Sequence, residues 1–407
     1  MFIALAWRNV WRNKRRSSIT IAAISMGMAG IIFMIAMLNG FLVNMIDNSV
    51  RLETGTIQIH KQGYHDDPAV EKLVREPDLI VEKIRDLKEI NGISKRIKSF
   101  GLISTKSDSA GAMIVGIDPE DEKAVTNLYK NVSIGSYDSI SKYNTIIIGK
   151  TLAQNLEVKL GDEIVLLTQG ADGSMGNDLY TVGGIFETAS PDIDRMFIYM
   201  SLGSASDLLS TYGGVNEIAL SIEDPGEGDK ISNIVAKEIG DSKKYEVLPW
   251  SKILPGVSQM VLFFDGAIYI FYFIIFGIAA FGISNTLIMS IFERIHEIGV
   301  MMAIGTKPLR VFVQTAVESV IMGLVGGILG CILGFLVSLP FMVYGLNVNI
   351  WAGARAFIAF SPIIYFKLNL GDFVLGMSFV LIVTALASIY PAFKASKLKP
   401  ADAIRYV

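Results

Sequence analysis

The chain has 407 residues, of which 51% are hydrophobic, and its mean hydropathy is +0.47. A water-soluble protein of this size rarely carries so much apolar surface, so the composition favours a membrane protein. The net charge of −3 at pH 7 does not suggest a nucleic-acid partner, and the single cysteine, Cys331, excludes an intrachain disulfide bond.

Four long stretches with few or no charged residues predict four transmembrane helices. Each stretch has at least the roughly 20 residues that an α-helix needs to cross a hydrocarbon core about 30 Å thick. The predicted spans are residues 18–46, 262–292, 311–340 and 372–393. Glu318 lies about two turns inside the third span, where an ionisable side chain is unusual.

The distribution of lysine and arginine predicts the orientation of the chain. These residues concentrate in segments 1–17, 293–310 and 394–407, whereas the loop at 341–371 contains only Arg355 and Lys367. Because basic residues are retained on the cytoplasmic side, we expect both termini and the 293–310 segment to be cytoplasmic. The first span exceeds the apolar core of a signal peptide and no small-residue cleavage site follows it, so we expect an uncleaved anchor.

Residues 47–258 have the composition of a soluble domain, which the orientation places outside the cytoplasm. Apolar runs bounded by turn residues predict strands at 56–60, 112–117, 146–148, 163–168, 179–186 and 196–200. Helical periodicity predicts a helix at 68–87 that is interrupted near Pro77, and periodicity with capping residues predicts helices at 118–128, 201–211 and 229–239. A change to strand-rich sequence near Asn131 predicts two lobes, the second covering about residues 131–212. The expected fold is four transmembrane α-helices with a large α+β extracytoplasmic domain between helices 1 and 2.

One short motif resembles a nucleotide-binding loop. Residues 148–151, Ile-Gly-Lys-Thr, end like the phosphate-binding pattern G-x-x-x-x-G-K-[ST]. Asn144 stands where the first glycine would be, so the backbone cradle for phosphate is missing. We therefore interpret this match as a coincidence and expect no ATP bound by this chain.

The histidines offer two weak metal-site patterns. His296-Glu297 begins like H-E-x-x-H, but Val300 occupies the position of the second histidine. His60 and the sequence at 65–67, His-Asp-Asp, could supply ligands, although His-Asp-Asp-Pro is also typical of a solvated turn, which we favour. With no nucleophile–histidine arrangement either, we expect no metal, no cofactor and no catalysis in this chain.

Two spans contain residues suited to helix contacts. Small residues let helices approach closely in lipid, so the glycines of the third span predict helix packing, either static or as a sliding surface. These glycines are Gly323, Gly326, Gly327, Gly330 and Gly334. The first span is rich in methionine, which suits either lipid contact or adaptable apolar binding. Asn39 lies near its outer end and is either interfacial or faces a partner helix.

Residues 292–308, FERIHEIGVMMAIGTKP, follow the second span with a cluster of charges and then an apolar turn. Glu293, Arg294 and Glu297 provide a charged side, whereas Val300, Met301 and Ile304 provide an apolar one. Gly299 and Gly305 permit breaks in the helix, and Pro308 suits the first turn of the next helix. We predict a short amphipathic helix lying along the membrane, because an ordinary solvated loop would not need the apolar side.

This segment resembles the coupling segment of the MacB/FtsX-like ABC transporter permeases, which reads roughly E-R-x-x-E-I-G-x-x-x-A-x-G. The tail beginning Tyr390-Pro391-Ala392 and the plan of one span, a large external domain and three spans are also similar to that superfamily. Within it, the chain most resembles the LolC/LolE lipoprotein-releasing permeases, through Met37-Leu38-Asn39-Gly40-Phe41, Gly116-Ile117-Asp118-Pro119 and Leu160-Gly161-Asp162.

The resemblance implies a permease that works with a dimer of cytoplasmic ATPase subunits, which would bind ATP and magnesium, and with a second permease chain. The residues that would couple to the ATPase are Glu293, Arg294, Glu297, Ile298, Gly299, Ala303 and Gly305. Those that would line a substrate cavity are Met34, Met37, Asn39, Phe41, Met260, Phe264 and Ile268. The implied activity is extraction of lipoproteins from the outer leaflet of the bacterial inner membrane for transfer to a periplasmic carrier.

One feature departs from the LolC pattern. Where those chains carry a long hairpin with an apolar hook for the carrier, residues 169–178 here are short and polar, with Met175 as the large apolar residue. Recruitment of the carrier by this chain therefore stays open. The alternatives are a MacB-type efflux or mechanotransmission permease and an FtsX-like activator of a cell-wall hydrolase.

Overall fold

The computed structural model describes residues 2–188, 190–347 and 363–397. The chain divides into two compact units, one helical and one α+β, with boundaries near residues 42 and 260. In chain order the helices are α1 Phe2–Arg12, α2 Lys14–Ser49, α3 Pro77–Ile84, α4 Pro119–Lys123, α5 Lys150–Asn155, α6 Pro191–Met196, α7 Leu202–Leu208, α8 Gly228–Ile239, α9 Trp250–Ile253, α10 Pro255–Glu293, α11 Ile295–Ala303, α12 Pro308–Val343 and α13 Leu370–Ser396.

Four of the described helices, α2, α10, α12 and α13, are long and apolar enough to cross a membrane. A long apolar helix is therefore present at each of the four predicted spans. Apolar side chains from all four helices form one buried cluster that includes Met28, Tyr272, Met322 and Val380. The four long helices therefore share a core and are not four independent spans.

Helix α12 lies between α2 and α13, and its glycines make both contacts close. A methyl group added at Gly330 would lie 2.5 Å from Cβ of Met28, and one added at Gly323 would lie 2.6 Å from Thr384. Cβ atoms do not approach other atoms this closely, so a side chain at either position would require the neighbouring helix to shift. Gly326, Gly330 and Gly334 face α2, whereas Gly323 and Gly327 face α13.

The α+β unit is built on one large sheet between α2 and α10 in chain order. Its strands are β1 Ile57–Lys61, β2 Ile90–Ser104, β3 Ser109–Ile117, β4 Val132–Gly135, β5 Thr145–Gly149, β6 Glu163–Gln169, β7 Met175–Phe186, β8 Phe197–Ser201, β9 Glu217–Ile222 and β10 Tyr245–Pro249. They run in the order β10-β1-β9-β2-β3-β8-β5-β7-β4, and β6 pairs with β2 and β7. Most pairs are antiparallel, but β3–β8 and β5–β7 are parallel. Two further short strands, β11 Leu346–Asn347 and β12 Ile363–Ile364, pair beside the helices.

The predicted strands are present with small shifts at their ends, but two predicted helices are much shorter than expected. The periodic stretch 68–87 forms only α3, which begins at Pro77, and the helix capped by Asp118 ends at Lys123. Strands from the predicted second lobe pair with β2 and β3 in the same sheet. The division into two lobes stays a prediction.

A buried ionic network crosses the sheet of the α+β unit. The Arg96 guanidinium is 2.7 Å from Glu122 and 2.6 Å from Glu217, and both carboxylates are buried with it. His60 on β1 lies directly opposite Glu217 on β9 and Glu246 on β10. Its ring nitrogens are 3.6 Å from Glu217 and 3.7 Å from Glu246, which places the imidazole between two carboxylates.

Candidate functional site

The predicted coupling segment is a helix, a break and a second helix. Helix α10 continues to Glu293, and Arg294 interrupts it with a non-helical backbone before α11 begins at Ile295. After α11, Gly305 has a φ of +98°, which lets the chain reverse towards α12, whose first residue is Pro308. A short helix is therefore present where one was predicted, although Glu293 belongs to α10 and not to α11. Its position along the membrane stays a prediction.

Glu297 in the first turn of α11 is bound by the end of α1. The Arg12 guanidinium donates to both carboxylate oxygens of Glu297 at 2.9 Å. This hydrogen-bonded ion pair with Arg12, together with the charge of Arg294, lowers the pKa of Glu297. Glu297 thus connects α11 to α1.

Arg294 extends this connection into the third span. It lies 3.4 Å from Glu297 and 3.1 Å from Glu318, and Glu318 also accepts a hydrogen bond of 2.6 Å from the Asn9 side chain. The Arg294 and Glu318 side chains are only 12% and 8% exposed, so the pair is largely removed from water. We call these five residues the charged cluster: Asn9, Arg12, Arg294, Glu297 and Glu318.

Water reaches the charged cluster from one side. A polar cleft of about 480 Å³ opens beside it, lined by Asn9, Arg12, Asn13, Lys14, Glu293 and Arg294. On the inner side, a cavity of about 10 Å³, with space for about one water molecule, is lined in part by Arg294, Thr315 and Glu318. The cluster is therefore built at a boundary between solvent and the apolar core.

Helix α11 has a buried and an exposed apolar side. Ile298 packs with Ile291, Val311 and Ala395, and Gly299 is buried as well. Ala303 and Gly305 are exposed, and so is an apolar rim formed by Val300, Ile304 and Leu309. Ile304 is 79% exposed at the turn between α11 and α12. An apolar rim of this kind next to paired charges is suited to contact with another protein.

The structure brings two of the cavity candidates, Phe41 and Phe264, into contact. Met34, Met37 and Phe41 follow one side of α2, and the Phe41 ring meets Phe264 of α10 edge to face with centroids 5.4 Å apart. Ile268 packs against the core of the helical unit. Met260 is partly exposed and falls in the α+β unit.

Asn39 lies on a different side of α2 from Phe41. Its amide donates to Asp372 at 3.1 Å, and Asp372 also accepts from the backbone of Asn369 in the capping box of α13. Asn39 thus links α2 to the first turn of α13. Of the two alternatives for this residue, the structure shows contact with a partner helix.

The weaker sequence motifs have structural partners of their own. Lys150 of the P-loop-like motif forms an ion pair of 2.8 Å with Glu187. His65 and Asp66 lie in an exposed turn, where Asp67 pairs with Lys72 at 2.9 Å. Among the described residues, no three histidine, cysteine or carboxylate side chains are grouped as metal ligands.

Sequence reasoning did not anticipate the contacts of Asn9 with Glu318 and of Arg12 with Glu297. Asn9 lies 309 residues from Glu318 and Arg12 lies 285 residues from Glu297. The one available signal was Glu318 itself, because a carboxylate inside a span requires a polar partner. Its partners come from α1 and from the break before α11.

Comparisons with known proteins agree with this architecture. Residues 17–237 match the MacB-like periplasmic core domain, and residues 269–400 match the FtsX-like permease C-terminal region. The lipoprotein-releasing system transmembrane protein LolC of Xylella fastidiosa strain Temecula1 is 24% identical, over 96% of this chain and 94% of its own. LolE of Haemophilus influenzae is 21% identical over 94% and 92% of the two chains. The uncharacterized ABC transporter permease YknZ of Bacillus subtilis is 23% identical over 99% and 98%.

The four apolar helices, the sheet domain between the first two of them and the charged cluster define a multi-pass membrane permease. The chain belongs to the MacB/FtsX/LolC family of ABC transporter permeases, which confirms the resemblance found in the sequence. Its LolC and LolE relatives indicate a protein of the bacterial inner membrane.

Proposed function

We propose that this chain is the permease subunit of a lipoprotein-extracting ABC transporter, and that its α11 segment receives the motion of a separate ATPase dimer. The charged cluster carries the proposal. It joins α11 to α1 through Arg12 and to α12 through Glu318. A push on the exposed rim of α11 would therefore move the ends of several helices together.

The proposed contact with the ATPase is the apolar rim, Val300, Ile304 and Leu309, together with the exposed Ala303 and Gly305. These exposed residues lie in α11, in the turn that follows it and at the start of α12, whereas Ile298 of α11 is buried. In this arrangement the termini and the α11 segment are cytoplasmic, and the α+β unit lies outside. ATP and magnesium bind to the ATPase, and this chain performs no catalysis.

The lipoprotein substrate is supported by relatives named LolC and LolE that align along nearly their whole length. Extraction would use a second permease chain, of the same or a different sequence, and a periplasmic carrier. The aromatic pair of Phe41 and Phe264 is the part of the proposed cavity that the chain itself assembles. A MacB-type efflux permease is the second candidate, since MacB of Campylobacter jejuni is 21% identical over 98% of this chain and 60% of its own. An FtsX-like activator of a cell-wall hydrolase is the third.

The first experiment is gentle purification of the C-terminally tagged chain from native membranes, followed by mass spectrometry of what accompanies it. We expect an ATPase subunit, a second permease chain and acylated lipoproteins. An ATPase with an adaptor or an outer-membrane channel, and no lipoproteins, would favour efflux instead. Absence of any ATPase would contradict the coupling role of α11.

The same preparation tests the cavity residues. Phe41→Ala is expected to lower the amount of acylated protein retained severalfold, because it removes an aromatic surface worth about 1 kcal/mol or more. Asn39→Ala should lower retention less, since the Asn39 side chain is bound to Asp372. If Asn39→Ala lowered retention more than Phe41→Ala, the substrate would contact the Asn39 side of α2 and not the Phe41 side.

A further inference from the structure

We propose that α1 is a binding site for anionic phospholipid headgroups, with Arg8 and Arg15 as its charged contacts and Trp7 and Trp11 as its membrane anchors. The proposal concerns the lipid partner of this helix and does not depend on the substrate of the permease.

The first argument is that α1 has both buried and exposed apolar residues. Ala6 and Val10 are buried, and Val10 belongs to the core shared with the spans. Trp7 and Trp11 are 48% and 36% exposed and stack edge to face with centroids 5.8 Å apart. One turn of this helix therefore presents a paired aromatic surface outside the protein core.

The second argument is position. Helix α1 ends at Arg12 and α2 begins at Lys14, so α1 adjoins the first residues of a membrane span. The Ser17 hydroxyl at the start of that span donates to the Val10 carbonyl, which holds the two helices together. Tryptophan beside the end of a span is characteristic of the level of the lipid headgroups.

The third argument is charge. No acidic residue precedes Asp47 in the sequence, whereas Arg8, Arg12, Lys14 and Arg15 lie within two turns of one another. Arg12 is occupied by Glu297. In the described part of the chain, Arg8 and Arg15 have no ion-pair partner, and both are exposed. Exposed cations beside interfacial tryptophans are complementary to the phosphates of anionic lipids.

The test uses tryptophan quenching in the full chain, reconstituted in phosphatidylcholine nanodiscs that contain a fixed fraction of one brominated lipid. The brominated lipid is either phosphatidylglycerol or phosphatidylcholine. Of the four tryptophans of the chain, the signal of Trp7 and Trp11 is obtained by subtracting the W7F/W11F variant. We expect brominated phosphatidylglycerol to quench this signal more strongly, because the anionic lipid accumulates around α1.

The charge contribution is isolated by the variant R8Q/R15Q and by salt. Removing two cations should reduce the preference for the anionic lipid on the order of tenfold, and about 0.5 M salt should weaken it in the wild type. R310Q is the matched control, because Arg310 is also exposed but lies at the start of α12, and the preference should be unchanged.

Two results would overturn the proposal. Equal quenching by the two brominated lipids, insensitive to salt, would mean that α1 anchors without recognising charge. Weak quenching by both would mean that Trp7 and Trp11 face water or another protein, and the exposed side of α1 would then be a protein-docking surface instead.

Discussion

At the scale of single residues, Arg294 is the centre of the charged cluster. It stands at the break between α10 and α11 and contacts Glu297 and Glu318 at once. The sequence identified Arg294 and Glu297 as candidates, because charges that follow a span are conspicuous. It could not identify their partners in α1, because those contacts depend on how helices remote in the sequence pack.

The ion pair between Arg12 and Glu297 can be tested by exchanging the charges. Glu297→Lys should abolish ATPase stimulation while membrane insertion persists, because it places a cation against Arg12 and Arg294. In the double variant R12E/E297R, we expect the stimulation of ATP hydrolysis to recover at least partly. The ion pair is restored there, with the acidic residue at position 12 and the basic one at position 297. ATP hydrolysis by the purified complex is the measurement.

Failure of the exchange would be equally informative. If R12E/E297R assembles normally but is as inactive as Glu297→Lys, the carboxylate of Glu297 acts on a partner subunit and its contact with Arg12 is secondary.

The pair of Arg294 and Glu318 should contribute to stability. Glu318→Gln leaves the largely buried Arg294 without its nearest full charge, so the unfolding midpoint in detergent should fall. A double-mutant cycle with Arg294→Gln is expected to give a coupling of about 1–3 kcal/mol. A coupling near zero would show that solvent from the adjoining cleft compensates for the lost partner.

At the scale of elements, α12 determines how the spans are held together. The stripe Gly326, Gly330 and Gly334 recurs every fourth residue and so stays on one side of the helix, against α2. Gly323 and Gly327 form the corresponding contact with α13. The glycine spacing predicted close packing, but which helix lies on each side depends on the three-dimensional arrangement.

Gly330→Ala is expected to destabilise the helical unit by about 1–3 kcal/mol, because the new methyl group would meet Met28 and the Ser25 carbonyl at 2.5 and 2.7 Å. Gly277→Ala in α10 is the matched control, since nothing lies within 4 Å of its added methyl group. Thermal unfolding in detergent compares the two. An equal effect of both variants would show that α2 and α12 separate without cost.

The spans were predictable because a run of about 20 apolar residues has few other stable environments. Strand β2 was not predicted, although it is the longest described strand and pairs with β3, β6 and β9. Its sequence, INGISKRIKSFGLIS, mixes cations with apolar residues and lacks strict alternation. Lys98 and Arg96 lie in the buried network within the sheet, so their burial depends on carboxylates supplied by other elements.

At the scale of the whole molecule, the two units have different sources of stability. The helical unit combines close apolar packing with the largely buried pair of Arg294 and Glu318, whereas the α+β unit contains a buried ionic network that crosses its sheet. Within it, burial alone would lower the pKa of His60, but Glu217 and Glu246 outweigh burial and raise it above 6.5. His60, with Glu217 and Glu246, is expected to make this unit sensitive to pH.

The direction of this pH dependence follows from the difference between the folded-state and unfolded-state pKa of each group. A raised pKa means that the His60 contribution is complete below pH 6.5 and is lost as pH rises through the folded-state pKa. The pKa of Glu246 is lowered to about 2, so its contribution is present above pH 4.5 and is lost as pH falls. The contribution of His60 and Glu246 to the stability of the α+β unit should therefore be greatest between about pH 4.5 and 6.5.

His60→Gln should remove the loss of stability above pH 6.5. The unfolding midpoints at about pH 6 and about pH 8.5 should then lie closer together than in the wild type. His65→Gln is the control, because His65 lies in the neighbouring exposed turn. Calorimetry of the full chain in detergent measures both. A wild-type midpoint that does not fall above pH 6.5 would show that the pKa of His60 is not raised in the folded protein.

The close fit of α2 against α12 also constrains the order in which the protein is made. The ribosome completes α2 before the whole α+β unit and α10, and α12 follows only after them. At about 5–20 residues per second, α2 waits in the bilayer for tens of seconds before its partner emerges. During that time the face of Ile24 and Met28 is exposed to lipid, and the Ser25 hydroxyl has only the Ile21 carbonyl of its own helix. Its second partner, Gly326, arrives late in synthesis, so a chain released before α12 would leave this face available to other membrane proteins.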